Sequence, residues 1–243
     1  MFRMISLLKR KSGLTHQQFR DYYETRHRPI GEEAVNGYAL SYERYYLYPI
    51  RGADSSPFYD AMTHLCFPNR GVYARCILAV SKDPKKAKMI VDDEGEFFDR
   101  EASTHFEAHD SFSALQALTP GDTIFRLIRF DRHRPGMSHE QCRDYYERKH
   151  RLVGEYVMNG IACDYTRHFL FRLTPDAPEP YYTLITEMNF PSRARYEEME
   201  ANIAADPTIS HFITEDEERC IDRANAVDYM ADLSASALKS PIM

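Results

Sequence analysis

Two periodicities alternate along the chain. Short runs with apolar residues at every second position, Met4 to Lys9, Tyr59 to Phe67, Leu127 to Asp131 and Tyr182 to Phe190, predict strands. The first strand of each half ends at Gly13 or at Pro135 and Gly136, and Thr15 or Ser138 then stands three residues before Gln18 or Gln141. That is a capping-box spacing, which opens a helix. On this helix Phe19, Tyr22, Tyr23 and Arg26 share one face, and Cys142, Tyr145, Tyr146 and Lys149 repeat the arrangement. Turns at Asn36–Gly37 and Asn159–Gly160 lead into aromatic-rich strands, Tyr38 to Tyr48 and Ile161 to Leu173. A Pro-rich loop precedes the third strand, which stops at Phe then Pro. A helix is predicted from Asn69 or Ser192, an acidic helical stretch after Asp83–Pro84 or Asp206–Pro207, and a weaker last strand near Ser103 to His109 or Ala226 to Ala231.

Every element occurs twice because the chain is a tandem duplication. A shift of 123 residues carries RDYYE at Arg20 onto RDYYE at Arg143, His27–Arg28 onto His150–Arg151, Pro57 and Tyr59 onto Pro180 and Tyr182, and Asp83–Pro84 onto Asp206–Pro207. From Phe2 to Arg100 about 35 of 99 pairs are identical without a gap. The repeats are expected at residues 1–115 and 116–243. The order β-α-β-β-α-β is that of a ferredoxin-like module, an α+β unit with helices on one face of a four-stranded antiparallel sheet. Its other face would be bare, and two such faces can cover each other by closing into a barrel.

Charge and cysteine usage narrow the classes. A net charge of -6 argues against a nucleic-acid surface, which needs a basic stripe. The five cysteines include no CxxC pair and none is matched in the other repeat, so a reducing cytoplasm is expected. No run approaches the roughly 18 apolar residues of a spanning helix, so no membrane partner is expected. There is no GxGxxG, GxxxxGK[ST] or GxSxG. The acidic runs Asp92 to Glu96 and Glu215 to Glu218 suit a solvated helix face.

A strand, then Gly, Leu or Met, Thr or Ser, two residues, and FRDYYE (CRDYYE in the second copy) with a basic residue and His resembles the EthD domain of the dimeric α/β-barrel superfamily. The likeness covers Met1 to Asp110 and Asp122 to Ala231. Tyr23 and Tyr146 stand where the family carries Trp, and Arg28 and Arg151 separate each His from the position of the family's Pro. The resemblance implies an intramolecular dimeric α/β barrel. It also implies cofactor-free chemistry of the isomerase, cyclase or decarboxylase kind, or aromatic catabolism, and it places His27 and His150 near the barrel mouth.

In the third strand, Tyr59, Ala61, Thr63, Leu65 and Phe67 are expected to face helices, with Tyr182, Leu184, Thr186, Met188 and Phe190 as their copies. Asp60, Met62, His64 and Cys66, with Thr183, Ile185, Glu187 and Asn189, would face the barrel cavity. Positions where the repeats differ are candidates for specialisation: His64 against Glu187 as base and acid, and Ser6 against Arg129, the latter as holder of an anion or oxyanion. An imidazole in general suits proton transfer near neutral pH, so His27 and His150 are candidates for it, yet both also suit packing against the next strand. Tyr42, Tyr45, Tyr165, His168 and Asn189 supply stacking and hydrogen bonding for an aromatic ligand. The polar set equally suits a buried network between halves.

No metal is expected, since His105 and His109 lack a third ligand. The expected function is cofactor-independent acid/base catalysis, lyase or isomerase in type, on an aromatic or polyketide-like small molecule. The alternatives are a haem-dependent redox enzyme of the same superfamily and a non-catalytic small-molecule binder. A homodimer of such chains is compatible with this architecture.

Overall fold

The computed structural model describes residues 1–51, 58–116, 118 and 124–241; Pro57 and Asp122 lie outside them. The first half runs β1 (Phe2–Arg10), α1 (His16–Tyr22), α2 (Arg28–Val35), β2 (Ser41–Arg51), β3 (Ala61–Phe67), α3 (Arg70–Ser81), α4 (Pro84–Phe97) and β4 (Phe98–Phe112). The second repeats it as β5 (Phe125–Asp131), α5 (His139–Tyr145), α6 (Arg151–Met158), β6 (Asp164–Arg172), β7 (Leu184–Phe190), α7 (Arg193–Ala205), α8 (Pro207–Cys220) and β8 (Val227–Ala235). The capping boxes form as expected: Thr15 and Ser138 accept from the backbone of Gln18 and Gln141, whose side chains accept in return. The last strand is far longer than its sequence pattern suggested, 15 residues in β4.

That length closes the barrel. Around it the order is β1-β3-β2-β8-β5-β7-β6-β4, and β4 returns to β1. β4 pairs with its own β1 and with β6 of the other half, while β8 pairs with its own β5 and with β2. Among the described residues no sheet edge is left unpaired, which removes the template for aggregation that an open sheet presents. The interior is filled by Ile5, Leu7, Leu47, Met62, Phe106, Ile128, Phe130, Ile185, Val227 and Tyr229. An eight-stranded barrel is just wide enough for its own side chains, so the middle of the barrel is core rather than the expected ligand cavity.

Strand parity is as predicted for Ala61, Leu65, Phe67 and Met62, but Tyr59 and Tyr182 turn into the barrel core. Arg129 and Ser6 turn the other way, toward the helices. Asp60 and Thr183 are used locally, accepting from the backbone N–H of Arg10 and His133.

Between each first and second helix lies a π-turn, Tyr23–His27 and Tyr146–His150. In the first, the Arg28 N–H reaches back five residues to the Tyr23 carbonyl. The extra residue rotates the helix surface. A regular helix would have buried Arg26 and Lys149; instead these are exposed, and His27 and His150 are buried.

The RDYYE glutamates lock the halves together. Arg44, 0% exposed, bonds through Nε to Glu24 at 2.8 Å and through Nη1 to Ser236 of the other half at 2.7 Å. Arg167, 1% exposed, bonds to Glu147 at 2.8 Å and to Ser113 of the first half at 2.5 Å. Lys239 donates its N–H to Asn36, and Gln116 to Asn159, so the segments that follow β8 and β4 lap over the turns after α2 and α6. Removing one partner of such a buried pair strands the other charge. Arg44→Met and Arg167→Met are each expected to cost about 3–5 kcal/mol in urea unfolding. Much of that should return on adding Glu24→Gln or Glu147→Gln, and a loss below about 1 kcal/mol would mean the pair behaves as a surface bridge.

Candidate functional site

Each half carries a cavity between its sheet and its helices. The second-half cavity, about 330 Å³, is lined by Arg129, Asp131, Tyr146, His150, Gly154, Tyr165, Thr186, Glu217 and Asp228, with apolar Val153, Met188 and Ile213. The first-half cavity, about 220 Å³, is lined by the equivalent Ser6, Leu8, Tyr23, His27, Gly31, Tyr42, Thr63, Glu94 and His105. The former lies at the lower end of the range of ligand pockets.

The π-turn aims a histidine into each cavity from a wall whose far side holds an aspartate. His150 Nδ1 donates to Asp216 Oδ2 at 2.8 Å, and His27 Nδ1 to Asp93 Oδ2 at 2.7 Å. A carboxylate on Nδ1 fixes the tautomer and leaves the Nε2 lone pair for the cavity. Tyr145 and Tyr22 donate to the same aspartates at 2.6 and 3.0 Å. Asp93 and Asp216 are therefore hydrogen-bond partners of buried histidines rather than members of a solvated face. Burial pushes His27 below the usual imidazole range despite the bond to Asp93.

Beside the histidine stands a pair of phenols, the nearer of which packs edge-on against its ring, Tyr146 on His150 at 4.6 Å and Tyr23 on His27 at 5.1 Å. The Tyr146 and Tyr165 hydroxyls are 2.7 Å apart, and Tyr42 donates to Tyr23 at 3.2 Å. Burial raises Tyr146, Tyr165 and Tyr42 above the ordinary phenol range, so all carry their protons at neutral pH. Gly154 permits this: a Cβ there would lie 2.8 Å from the Tyr165 ring, and one at Gly31 3.0 Å from the Tyr42 hydroxyl.

The second-half cavity adds a buried guanidinium and further carboxylates, where the first-half cavity has Glu94 as its carboxylate and no arginine or lysine in its lining. Arg129 Nε donates to Asp131 at 2.9 Å, its Nη1 is 3.0 Å from Glu217, and Asp228 lies 3.9 Å from Nε. Arg223 also pairs with Glu217, at 2.8 Å. Burial lifts the Asp131 carboxyl above the usual range against the pull of Arg129.

The other candidates gather elsewhere, at one end of the barrel. His64 and His168 pack ring to ring at 4.9 Å, Tyr45 stacks on His64 at 4.7 Å, and Asn189 donates to Glu187 at 3.0 Å. Burial keeps His64 well below the ordinary imidazole range. Burial opposes charge on His168 too, but its bond to Asp110 and the nearby Glu187 carboxylate win and raise it. Burial would raise Glu187, yet His168, Asn189 and Tyr45 hold it below the carboxylate range, and it stands here as a hydrogen-bond acceptor. His105 and His109 sit four residues apart on β4 rather than on a helix, which separates them by about 13 Å; His105 bonds to Ser6 and His109 is 3.4 Å from Glu107.

Residues 11–101 match the family profile of the EthD domain. No curated protein matches the chain by sequence. Among solved structures, an anthrone oxidase-like protein superposes with a TM-score of 0.61 at 7% identity, covering 100% of this chain and 96% of that one. A proposed monooxygenase from Fusobacterium nucleatum subsp. nucleatum gives 0.54 at 9% identity over 99% and 95%, and another from Lactobacillus acidophilus NCFM gives 0.50 at 11% over 99% and 97%. At these identities the likeness is one of fold, the dimeric α/β barrel.

The dyad predicts a pH signature. The bond from His150 holds Asp216 below the usual carboxylate range. A carboxyl depressed on folding stabilises above its unfolded value, near 3.9, and loses that contribution as pH falls through the folded value. The unfolding free-energy gap between the protein and Asp216→Asn should therefore be full at about pH 6 and shrink below about pH 4. A gap constant down to about pH 2 would show that the carboxylate is not what His150 relies on.

Proposed function

We propose that this EthD-type dimeric α/β barrel is an acid/base enzyme that deprotonates a small hydroxyaromatic or polyketide-like molecule in its second-half cavity. The observation that carries the reading is the His150–Asp216 dyad opening onto the 330 Å³ cavity, with the Tyr146–Tyr165 hydroxyl pair beside it, Tyr146 in ring contact with His150 at 4.6 Å. The oxidase-like and monooxygenase-like names of the structural neighbours fit a phenolic or anthrone-like substrate, since such substrates react through their anions.

His150 Nε2 takes the proton from the substrate, and Asp216 stabilises the imidazolium that forms. Two mutually bonded phenols contain two protons but one mutual hydrogen bond, so one O–H remains to donate to the phenolate or enolate oxygen. Arg129, fixed by Asp131 and Glu217, places guanidinium N–H donors on the cavity wall. Val153, Met188 and Ile213 supply apolar surface for a ring. The imidazolium then returns the proton to another substrate atom, as an isomerase would, or to a leaving group, as a lyase would.

The first-half cavity keeps the dyad and phenols but has Ser6 and Leu8 in place of Arg129 and Asp131. It is assigned the lesser role. A haem does not fit the second-half cavity, whose wall commits Arg129, Asp131, Glu217 and Asp228 to ion pairs rather than to an apolar slot; no step uses one.

With a substrate found by screening hydroxylated aromatics for turnover, His150→Gln and Asp216→Asn should each lower kcat by about 10²–10⁴, and His27→Gln should do so by less than about tenfold. Unchanged turnover in a His27→Gln, His150→Gln double variant would rule the reading out. Gly154→Ala, which crowds Tyr165, should raise KM or lower kcat while the fold persists.

A further inference from the structure

The polar cluster at the barrel end is separate from both cavities, and we propose that it binds one divalent transition-metal ion of the imidazole-preferring kind, such as zinc, through His64, His168 and Glu187. One ligand-capable atom from each of these three buried residues lies within 4.8 Å of the other two. A contraction of under about 1 Å brings all three to the 2.0–2.2 Å typical of zinc bonds to imidazole and carboxylate. Two imidazoles and a carboxylate leave open positions, the donor set of catalytic zinc and of non-haem iron(II) sites.

The surroundings are those of a ligand site rather than of a finished core network. Buried polar atoms are normally paired, yet the imidazole Nε2 atoms of His64 and His168, Arg126 Nε and Asn189 Oδ1 accept or donate no hydrogen bond here. His168 is already held as a metal-binding imidazole is held. Its Nδ1 donates to Asp110 at 2.8 Å, which points the Nε2 lone pair inward. Glu187 is fixed by one oxygen: Oε1 accepts from Asn189 at 3.0 Å and from Tyr45 at 3.4 Å, leaving Oε2 toward His168 Nε2, 3.7 Å away. His64 Nδ1 lies 3.2 Å from Arg3 Nη1 and 3.9 Å from Glu43 Oε2. Ligation selects the tautomer whose Nδ1–H faces Glu43, and Arg3 keeps its 2.6 Å bond to Asp110.

Charge decides the sign of the ligand. With neutral imidazoles the cluster holds two guanidiniums, Arg3 and Arg126, against four carboxylates, Glu43, Asp110, Asp164 and Glu187. The excess of two negative charges is that of one divalent cation, and an anion is disfavoured. The ligands also come from both repeats, His64 from the first and His168 and Glu187 from the second. A bound ion therefore ties the halves of the barrel together.

Titration of metal-free protein with zinc chloride by calorimetry should give one ion per chain and raise Tm. Addition of zinc should shift the imidazole ¹⁵N signals of His64 and His168 in the unmutated protein. His64→Ala, His168→Ala and the shape-preserving Glu187→Gln should each weaken binding by at least about tenfold, whereas the exposed His211→Ala should not. Absence of stoichiometric binding would overturn the proposal. So would binding that leaves those two imidazole signals in place, or that survives Glu187→Gln unchanged.

Discussion

Two buried guanidiniums set the architecture. Arg44 and Arg167 have no solvent to satisfy them, so their donors must be answered by protein, and the answers come from three directions: the RDYYE glutamate, a strand carbonyl and a serine from the opposite repeat. Taking a charge out of water is costly unless every donor finds a partner. This requirement couples the first helix, the second strand and the far tail. Edge pairing of β4 and β8 closes the barrel; the arginines fix where the closing strands end.

The same anchoring positions the chemistry. Glu24 and Glu147 sit one residue into the π-turns, so the ion pair pins the turn that carries His27 and His150 onto the cavity side. The motif divides by function along its length. Its first tyrosine holds the aspartate, its second lines the cavity, and its glutamate holds the barrel. π-turns are rare and cluster at functional sites. Here the extra residue per turn exchanges an outward Arg or Lys for an inward His.

Much of the fold was legible because the repeat displayed each element twice: caps at Thr15 and Ser138, turns at Gly37 and Gly160, and strand ends at Phe67 and Phe190 agreed between copies. Three things were not. A π-turn has no signature in a 3.6-residue pattern, so Tyr22 and Arg26 looked equivalent to Tyr23 and His27. The β4 strand begins in the polar run Asp99 to Glu101, whose exposure hides its alternation. The side that Arg129 faces does not follow from its contrast with Ser6; it follows from strand parity, which Arg129 shares with helix-facing Leu127 and not with Ile128 of the barrel core. The aspartates of the dyads were visible as an identity, Asp93 with Asp216, but lay within acidic runs that composition alone assigns to solvent.

Duplication explains why the polar groups separate into two places. Residues facing a repeat's own helices are private to that repeat, so each cavity can change independently, as Ser6 and Leu8 against Arg129 and Asp131 show. Residues inside the barrel meet their counterparts across the pseudo-twofold axis, where two identical homodimer subunits would juxtapose like with like. A His facing a His, or a Glu facing a Glu, is all that such symmetry allows at the axis. Fusing the two copies lifts that constraint. His64 can then face Glu187 and Tyr45 can stand where the other half has His168, so a single chain carrying both halves can hold an asymmetric donor set.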